Sequence, residues 1–594
     1  MLGFLRPRVH ALVLALAPAL LLAVTPPPAE AGGNVQDTGA TSMLVKSSVP
    51  LTPDVVAAIS ALGAQTIHVW PEIQAMAVKV QPSKIPDLAA SPLVAYVEYD
   101  GMAGVIPEDA DLAEGMTAAP AVVVPLSSST TPIEPWNQDM ANTSGSSFTG
   151  AGVTVVVLDS GLPQNWEEFL PAGSVDLTHA VGFGPEGWGD FHNPVNAVRG
   201  VGGKIGLFPH GLAVSSVIVG FPSEWGFIGG AAPGATILPI RVLNQFNTGW
   251  HTWFTAAFIY AGNLKATGAV PGPMVINFSI QGRGPTPQIV RDAIDYALAQ
   301  GVLFVTIAGN FNPSSFVSWP GSLPQSITAG AVGWRSEGLP PNPWFFGDVP
   351  EGDASQAYVA SFSGREAPFV TPASQIDVVA PGSYVFGEWV SGPGFSDGRE
   401  VAFDPTSNFI FGTSFAAPHV AGIVAQMLEK NPNLTQATAE AALRGTALPM
   451  TASPASFVTP LGQFVLPWDD RATGAGLVQG AAAVGAAPVA LIAGRAPERG
   501  ASNAGQGSLS LRIASRPGSL PVEFALGGAA GKYDVSVFDA RGRLVRKWVA
   551  DASSGATGTW DGRGGDGATV GSGVYLLRVD AGGRRVVTKA VVSR

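Results

Sequence analysis

Residues Phe411–Gly412–Thr413–Ser414–Phe415–Ala416–Ala417–Pro418–His419–Val420–Ala421–Gly422 place a hydroxyl at the start of a helix. Gly412 supplies a permissive backbone just before Ser414. Ala416, Ala417, Ala421 and Gly422 are small enough for close packing against neighbouring elements. Pro418 is expected where the first turn still tolerates a missing N–H. The helix is expected to continue through Glu429 and stop before Asn431–Pro432. A serine at such an N-terminus lies in a positive field, with its own N–H pointing forward. That suits a nucleophile whose product is an oxyanion.

Working outward, Val153–Thr154–Val155–Val156–Val157–Leu158 reads as a buried parallel strand, and it ends in Asp159–Ser160–Gly161. A carboxylate at the C-terminal end of such a strand lies where open α/β sheets place their sites. His210–Gly211 precede a helical stretch, Leu212 to Val219, and a further strand spans Thr236 to Leu243. Of the seven histidines, His210 alone has the surroundings and order of a general base; His419 belongs to the helix of the serine stretch and is read as a packing residue. Met274 to Ile280 is another buried strand, followed by Gln281–Gly282. A helix over 288–300 leads to the run Gly301 to Asn310.

The run from Gly412 to Gly422 resembles the nucleophile motif of the subtilisin-like serine proteases. Asp159–Ser160–Gly161 resembles their aspartate block, and Gly229–Gly230–Ala231–Ala232–Pro233–Gly234–Ala235 is close to their Gly-x-Ala-Pro-x-Ala pattern. Ser361–Phe362–Ser363–Gly364 and Ile376 to Gly382 resemble family strands near the site. The resemblance covers about Pro132 to Ala487, where Gly474–Ala475–Gly476–Leu477–Val478 looks like the closing segment. It implies a mostly parallel α/β sheet flanked by helices and an endopeptidase in which Ser414 attacks, His210 moves the proton and Asp159 orients His210. Asn310 would serve as oxyanion donor, and Ser279, Ile280, Gln281 and Gly282 would receive the substrate backbone. No cofactor is implied for the chemistry; structural calcium is admitted by the resemblance, but no loop here specifies it. The histidine block departs from the family: Leu212 stands where Thr is usual, and Ser215–Ser216 where Ala-Gly is usual. Gln281 replaces a usual glycine. The departures after His210 motivate one alternative, a catalytically weak or inactive protein-binding relative. An ester hydrolase with the same triad is another. A rival motif, Gly394–Phe395–Ser396–Asp397–Gly398, lacks the strand before and helix after that a nucleophile elbow needs, and reads as a surface loop.

The 594 residues suggest several domains. Charged residues make up 13%, against 46% hydrophobic, with 74 Gly and 50 Pro, which indicates a loop-rich globular chain. A net charge of −12 argues against nucleic acid as a partner. With no cysteine, disulfides and a thiolate nucleophile are excluded.

The flanks read as separate units. Arg6 and Arg8, the apolar run 11–24 and Ala29–Glu30–Ala31 have the pattern of a secretory signal peptide over 1–31. Its removal would leave no transmembrane span and a secreted product. Residues 41–100 follow the order β-α-β-β-α-β of a ferredoxin-like fold, and resemble the propeptide inhibitor that precedes many of these proteases. Residues 101–131 read as a linker in which maturation cleavage is expected. The peptidase domain is assigned to 132–487 and a second linker to 488–507. Residues 508–594 show alternating strands with Gly/Asp turns, a small β-sandwich. Trp560–Asp561–Gly562–Arg563 and Ser572–Gly573–Val574–Tyr575 resemble the Ig-like domain of flagellar hook-capping proteins and secretion-sorting domains. That resemblance implies export machinery or cell-surface attachment as partners, or substrate binding, with a stabilising spacer as the alternative.

Overall fold

A computed structural model of the chain describes residues 39–105, 132–163, 166–184, 210–223, 226–244, 247–311, 316–336, 349, 352–370, 375–388, 409–453, 457–458, 464–465 and 467–489. In the C-terminal unit it describes 510–513, 520–527, 532–539, 544–551, 557–565, 567–571, 573–581 and 584–592. The signal-peptide pattern, most of the linker over 101–131 and Gly394–Gly398 lie outside these residues.

Among the described residues the central sheet has eight strands. Its order runs Ala357–Val359, Ile327–Trp334, Val302–Ile307, Met274–Phe278, Thr154–Asp159, Thr236–Arg241, Val181–Gly182, with Val378–Pro381 also beside Ile327–Trp334. All pairings are parallel except that of Ala357–Val359. The continuous apolar runs are explained by burial on both faces. Val155, Val157, Val275 and Val305 enter one core, with helices His210–Val219 and Thr413–Lys430. Val156, Leu158, Ile276, Phe278 and Phe304 enter the other, with helices His251–Thr267 and Gln288–Ala299.

Residues 41–99 form an antiparallel four-stranded sheet in the order Ala64–Trp70, Ala75–Val80, Thr41–Ser47, Val94–Tyr99, with helices Pro53–Ser60 and Ile85–Ala89. Thr52 caps the first helix through Val55 N. This sheet docks on the parallel-sheet body through acidic groups at helix N-termini. Glu98 accepts from Gln288 N (2.8 Å) and Ile289 N (3.1 Å). Asp100 accepts from Thr252 N (3.0 Å) and Thr252 Oγ1 (2.5 Å). Both carboxylates meet first-turn N–H groups that have no acceptor within their helices.

The C-terminal unit, Ile492–Arg594, has two antiparallel sheets. One joins Ser510–Ile513, Val522–Gly527 and Thr557–Trp560; the other joins Leu544–Asp551, Lys532–Asp539, Gly573–Ala581 and Arg584–Val592. Phe524, Val535, Val537, Trp560, Leu577 and Val579 form its core.

Four local expectations are corrected. Pro418 lies inside helix Thr413–Lys430 rather than in its first turn. The start of the linker is a strand, Met102–Gly104, antiparallel to Thr248–Trp250. Ser361–Gly364 is a turn, because its Gly364 N donates to Gly309 O (2.8 Å) instead of to a strand partner. Thr557–Trp560 is an additional strand of the C-terminal sandwich, where Trp560 closes the core.

Candidate active site

Asp159 ends its strand fully buried. His210 opens its helix with its ring turned toward that carboxylate, Nδ1 lying 3.0 Å from Oδ1 and 2.9 Å from Oδ2. The backbone explains the neighbouring residue types. Gly211 N donates to Ser160 Oγ (2.9 Å), and a Cβ on Gly211 would meet Gly161 O at 2.6 Å. Only glycine lets the helix start this close to the turn after Asp159. A carboxylate facing Nδ1 keeps the proton there and leaves the Nε2 lone pair for a base. His210 Nε2 is buried with no partner among the described residues. The departures after His210 leave this pair intact: Leu212 is buried in the core, while Ser215 Oγ donates to Gly211 O (2.7 Å) and Ser216 Oγ to Ala213 O (2.8 Å).

Ser414 is the second residue of its helix, after Gly412 at φ 141°. Its Oγ donates to Ser279 O at 3.4 Å, so the hydrogen bond to His210 is not made in this structure. Phe415 holds the two elements together, its ring centroid 5.5 Å from that of His210. Pro418 has no N–H for Ser414 O, and Ser279 Oγ supplies the missing donor at 2.8 Å. Asn277 Nδ2 in turn donates to Ser279 Oγ (2.9 Å).

Asn310 follows the strand Val302–Ile307. Its Oδ1 accepts from Thr413 N (2.8 Å) and Thr413 Oγ1 (2.7 Å). Two donors on one oxygen settle the amide orientation and leave Nδ2 to donate elsewhere; Nδ2 is buried with no partner among the described residues. Thr413 orients Asn310, a role the sequence motif does not assign it, although its place next to Ser414 is a signal.

Residues 150–476, more than half of the chain, match the subtilase family. The chain belongs to the subtilase family. It is a subtilisin-like serine endopeptidase by that membership. Subtilisin E of Bacillus subtilis (strain 168) is 24% identical over 393 residues, covering 66% of this chain and 79% of the relative. Fervidolysin of Fervidobacterium pennivorans is 28% identical over 291 residues, 48% of this chain and 36% of that protein. The crystal structure of fervidolysin, described as a keratinolytic enzyme related to subtilisin, aligns with a TM-score of 0.52 at 20% identity, covering 94% of this chain and 77% of that one, a likeness of fold. Residues 511–584 match the FlgD Ig-like domain.

In this subtilase Gln281 takes up a position beside Asn310. Its Oε1 accepts from Asn310 N (2.6 Å), and its Nε2 is buried with no partner among the described residues. Gly309, at φ +98°, cannot carry a side chain there, since a Cβ would lie 2.5 Å from Ser318 Oγ and 2.9 Å from Gln281 Oε1. The main chain of Gln281 is also paired: Gly104 N donates to Gln281 O (3.1 Å) and Gln281 N to Gly104 O (3.2 Å). Strand Met102–Gly104 is therefore bonded on one edge to Thr248–Trp250 and on the other to Gln281. His419 is not merely packed. Its Nδ1 donates to Phe415 O (2.7 Å) and its Nε2 faces Asn137 Nδ2 (3.0 Å). Complete burial pushes it down to about 4, so it stays neutral. No helix among the described residues is long and apolar enough to cross a membrane.

Proposed function

We propose that the chain is a secreted endopeptidase using Asp159, His210 and Ser414, with Asn310 as oxyanion donor. The observation that carries this reading is a pair of buried polar atoms, His210 Nε2 and Asn310 Nδ2, that have no partner among the described residues. Their residues meet Phe415 and Thr413, the neighbours of Ser414 on either side. In the reaction, Ser414 Oγ leaves Ser279 O, gives its proton to His210 Nε2 and attacks the peptide carbonyl. The imidazolium is stabilised by Asp159, and the oxyanion by Asn310 Nδ2 and the Ser414 N–H at the helix N-terminus. His210 then hands the proton to the leaving amine, and a water repeats the cycle on the acyl-enzyme. These groups complete the chemistry without a cofactor. Structural calcium remains a separate proposal from family resemblance.

Residues 41–100 are proposed to act as the inhibitory propeptide, removed by self-cleavage in the linker 101–131 that follows. Support comes from the acidic caps at Glu98 and Asp100 and from strand Met102–Gly104, which joins Gln281 as an added strand would. The terminal domain is proposed to serve export or surface attachment, on the match to the FlgD Ig-like domain. The test follows an unstructured protein substrate and the size of the secreted chain for wild type and Ser414→Ala. Cleavage and shortening in wild type alone are expected. Equal inertness would favour a binding protein, and equal cleavage would remove Ser414 from its role.

A further inference from the structure

The strand bound along Gln281 holds a specificity rule that is independent of the reacting groups, although it rests on the proposal that this cleft receives substrate. Gly104 makes both main-chain hydrogen bonds to Gln281. On the opposite edge it pairs with Thr248, and Val105 N donates to Asn247 O (2.9 Å). A Cβ built on Gly104 would lie 2.2 Å from Asn247 O and 2.9 Å from Thr248 Cα. Both obstacles are main chain, so no side-chain rotation relieves them. The strand cannot move sideways either, because a shift away from Asn247 drives it into Gln281. The obstructing backbone is itself tied down: Asn247 adopts φ +54°, its N donates to Asn244 O (3.1 Å), and Thr248 N donates to Asn244 Oδ1 (3.1 Å). One residue earlier the constraint is different. Ala103 is buried in an apolar cluster, whereas Met102 is half exposed.

We infer that this cleft selects extended substrates with glycine at the position paired with Gln281. The register places that position relative to the reaction. Ser279 lies two residues before Gln281 and accepts the Ser414 hydroxyl. In an antiparallel strand, the residue opposite Ser279 is therefore two positions after the glycine. The substrate class is a protein segment with a small apolar residue, then glycine, then one intervening residue before the residue whose carbonyl is attacked.

Two measurements test this. The first uses the full chain carrying Ser414→Ala, so that no turnover is needed, and compares it with the same chain also carrying Gly104→Ala. Hydrogen exchange at the amides of Val105 and Gln281 is expected to accelerate at least ~10-fold, as forced overpacking of a fixed site would produce. Met102→Ala, at a half-exposed position, should leave it unchanged. Unchanged exchange in Gly104→Ala would overturn the inference. The second compares wild-type turnover of two peptide mixtures, Met-Ala-Gly-Val-Xaa-Ser-Ser and Met-Ala-Ala-Val-Xaa-Ser-Ser, with Xaa randomised. A kcat/KM lower by ~10- to 100-fold for the alanine series is expected, and equal values would overturn the inference. If neither series is cleaved, the catalytic reading fails, while the exchange result still decides the glycine rule.

Discussion

Glu388 offers a sharp test of the packing around the proposed base. It follows strand Val385–Phe386, is 1% exposed, and its N donates to Ser216 Oγ (2.8 Å) on the helix that begins with His210. Neither carboxyl oxygen has a partner among the described residues. Burial pushes this carboxyl from 4.5 up to about 8. At about 1.4 kcal/mol per pKa unit, the cost of ionising it in the folded state has an upper limit of roughly 4–5 kcal/mol. The sign follows from proton counting. Between pH 4.5 and 8 the unfolded chain has released this proton and the native chain still holds it, so stability falls as pH rises through that window and levels off above it. Glu388→Gln keeps the shape of the neutral acid and removes the titration. The variant should match wild type at pH 4.5, exceed it increasingly up to about pH 8 and keep that margin at pH 9. With an unfolding entropy of about 2 cal/mol/K per residue, a gain of a few kcal/mol corresponds to a rise in Tm of roughly 5 °C in a body of this size. Thermal unfolding at one scan rate, run on both chains across pH 4.5–9, measures it. A Tm difference that does not change with pH would refute the reasoning, because an ionised, solvated Glu388 would have no proton to hold.

Asn310→Ala removes the proposed side-chain oxyanion donor and should lower kcat by ~10²–10³ with little change in KM, read from steady-state kinetics on a peptide substrate. A loss confined to KM would place Asn310 in binding alone. Glu98→Gln with Asp100→Asn weakens both acidic caps, at about 1–2 kcal/mol each, and should speed exchange at the Thr252, Gln288 and Ile289 amides by an order of magnitude or more. Protection equal to wild type would show that the docking does not depend on those charges. His419→Gln should flatten the acid side of the stability curve. In wild type the buried imidazole is neutral with its value lowered from 6.5 to about 4. Stability from that neutral state is therefore present above pH 6.5 and lost as pH falls toward 4, a slope that thermal scans of the variant should lack.

The parts of this protein that are legible in sequence are those with local causes. Strand Thr154–Asp159 announces itself by a continuous apolar run, because both faces of the sheet are covered. The helix after Gly412 is legible because its small residues and start signals are contiguous. What escapes is whatever depends on a distant partner. Met102–Gly104 sits in a Pro- and Ala-rich stretch, and only Thr248–Trp250 and Gln281 make it a strand. Gln281 looks like a loss of a pocket-wall glycine, yet its amide supports Asn310 N. Pro418 inside a helix looks unfavourable until Ser279 Oγ is seen to satisfy Ser414 O. Thr413 is read as part of a motif, while its task, fixing the amide of Asn310, needs the fold. Glu388 carries no local pattern at all; its N meets Ser216 Oγ, 172 positions away in sequence, only in the fold.

The central claim is that Ser414 is made nucleophilic by His210. It is tested most directly by reacting the chain with a fluorophosphonate and locating the adduct by peptide mass mapping, in wild type, His210→Ala and Ser414→Ala. A single adduct on Ser414 is expected in wild type, a rate lower by orders of magnitude in His210→Ala, and no adduct in Ser414→Ala. An adduct on another residue, or a rate unchanged by the loss of His210, would contradict it.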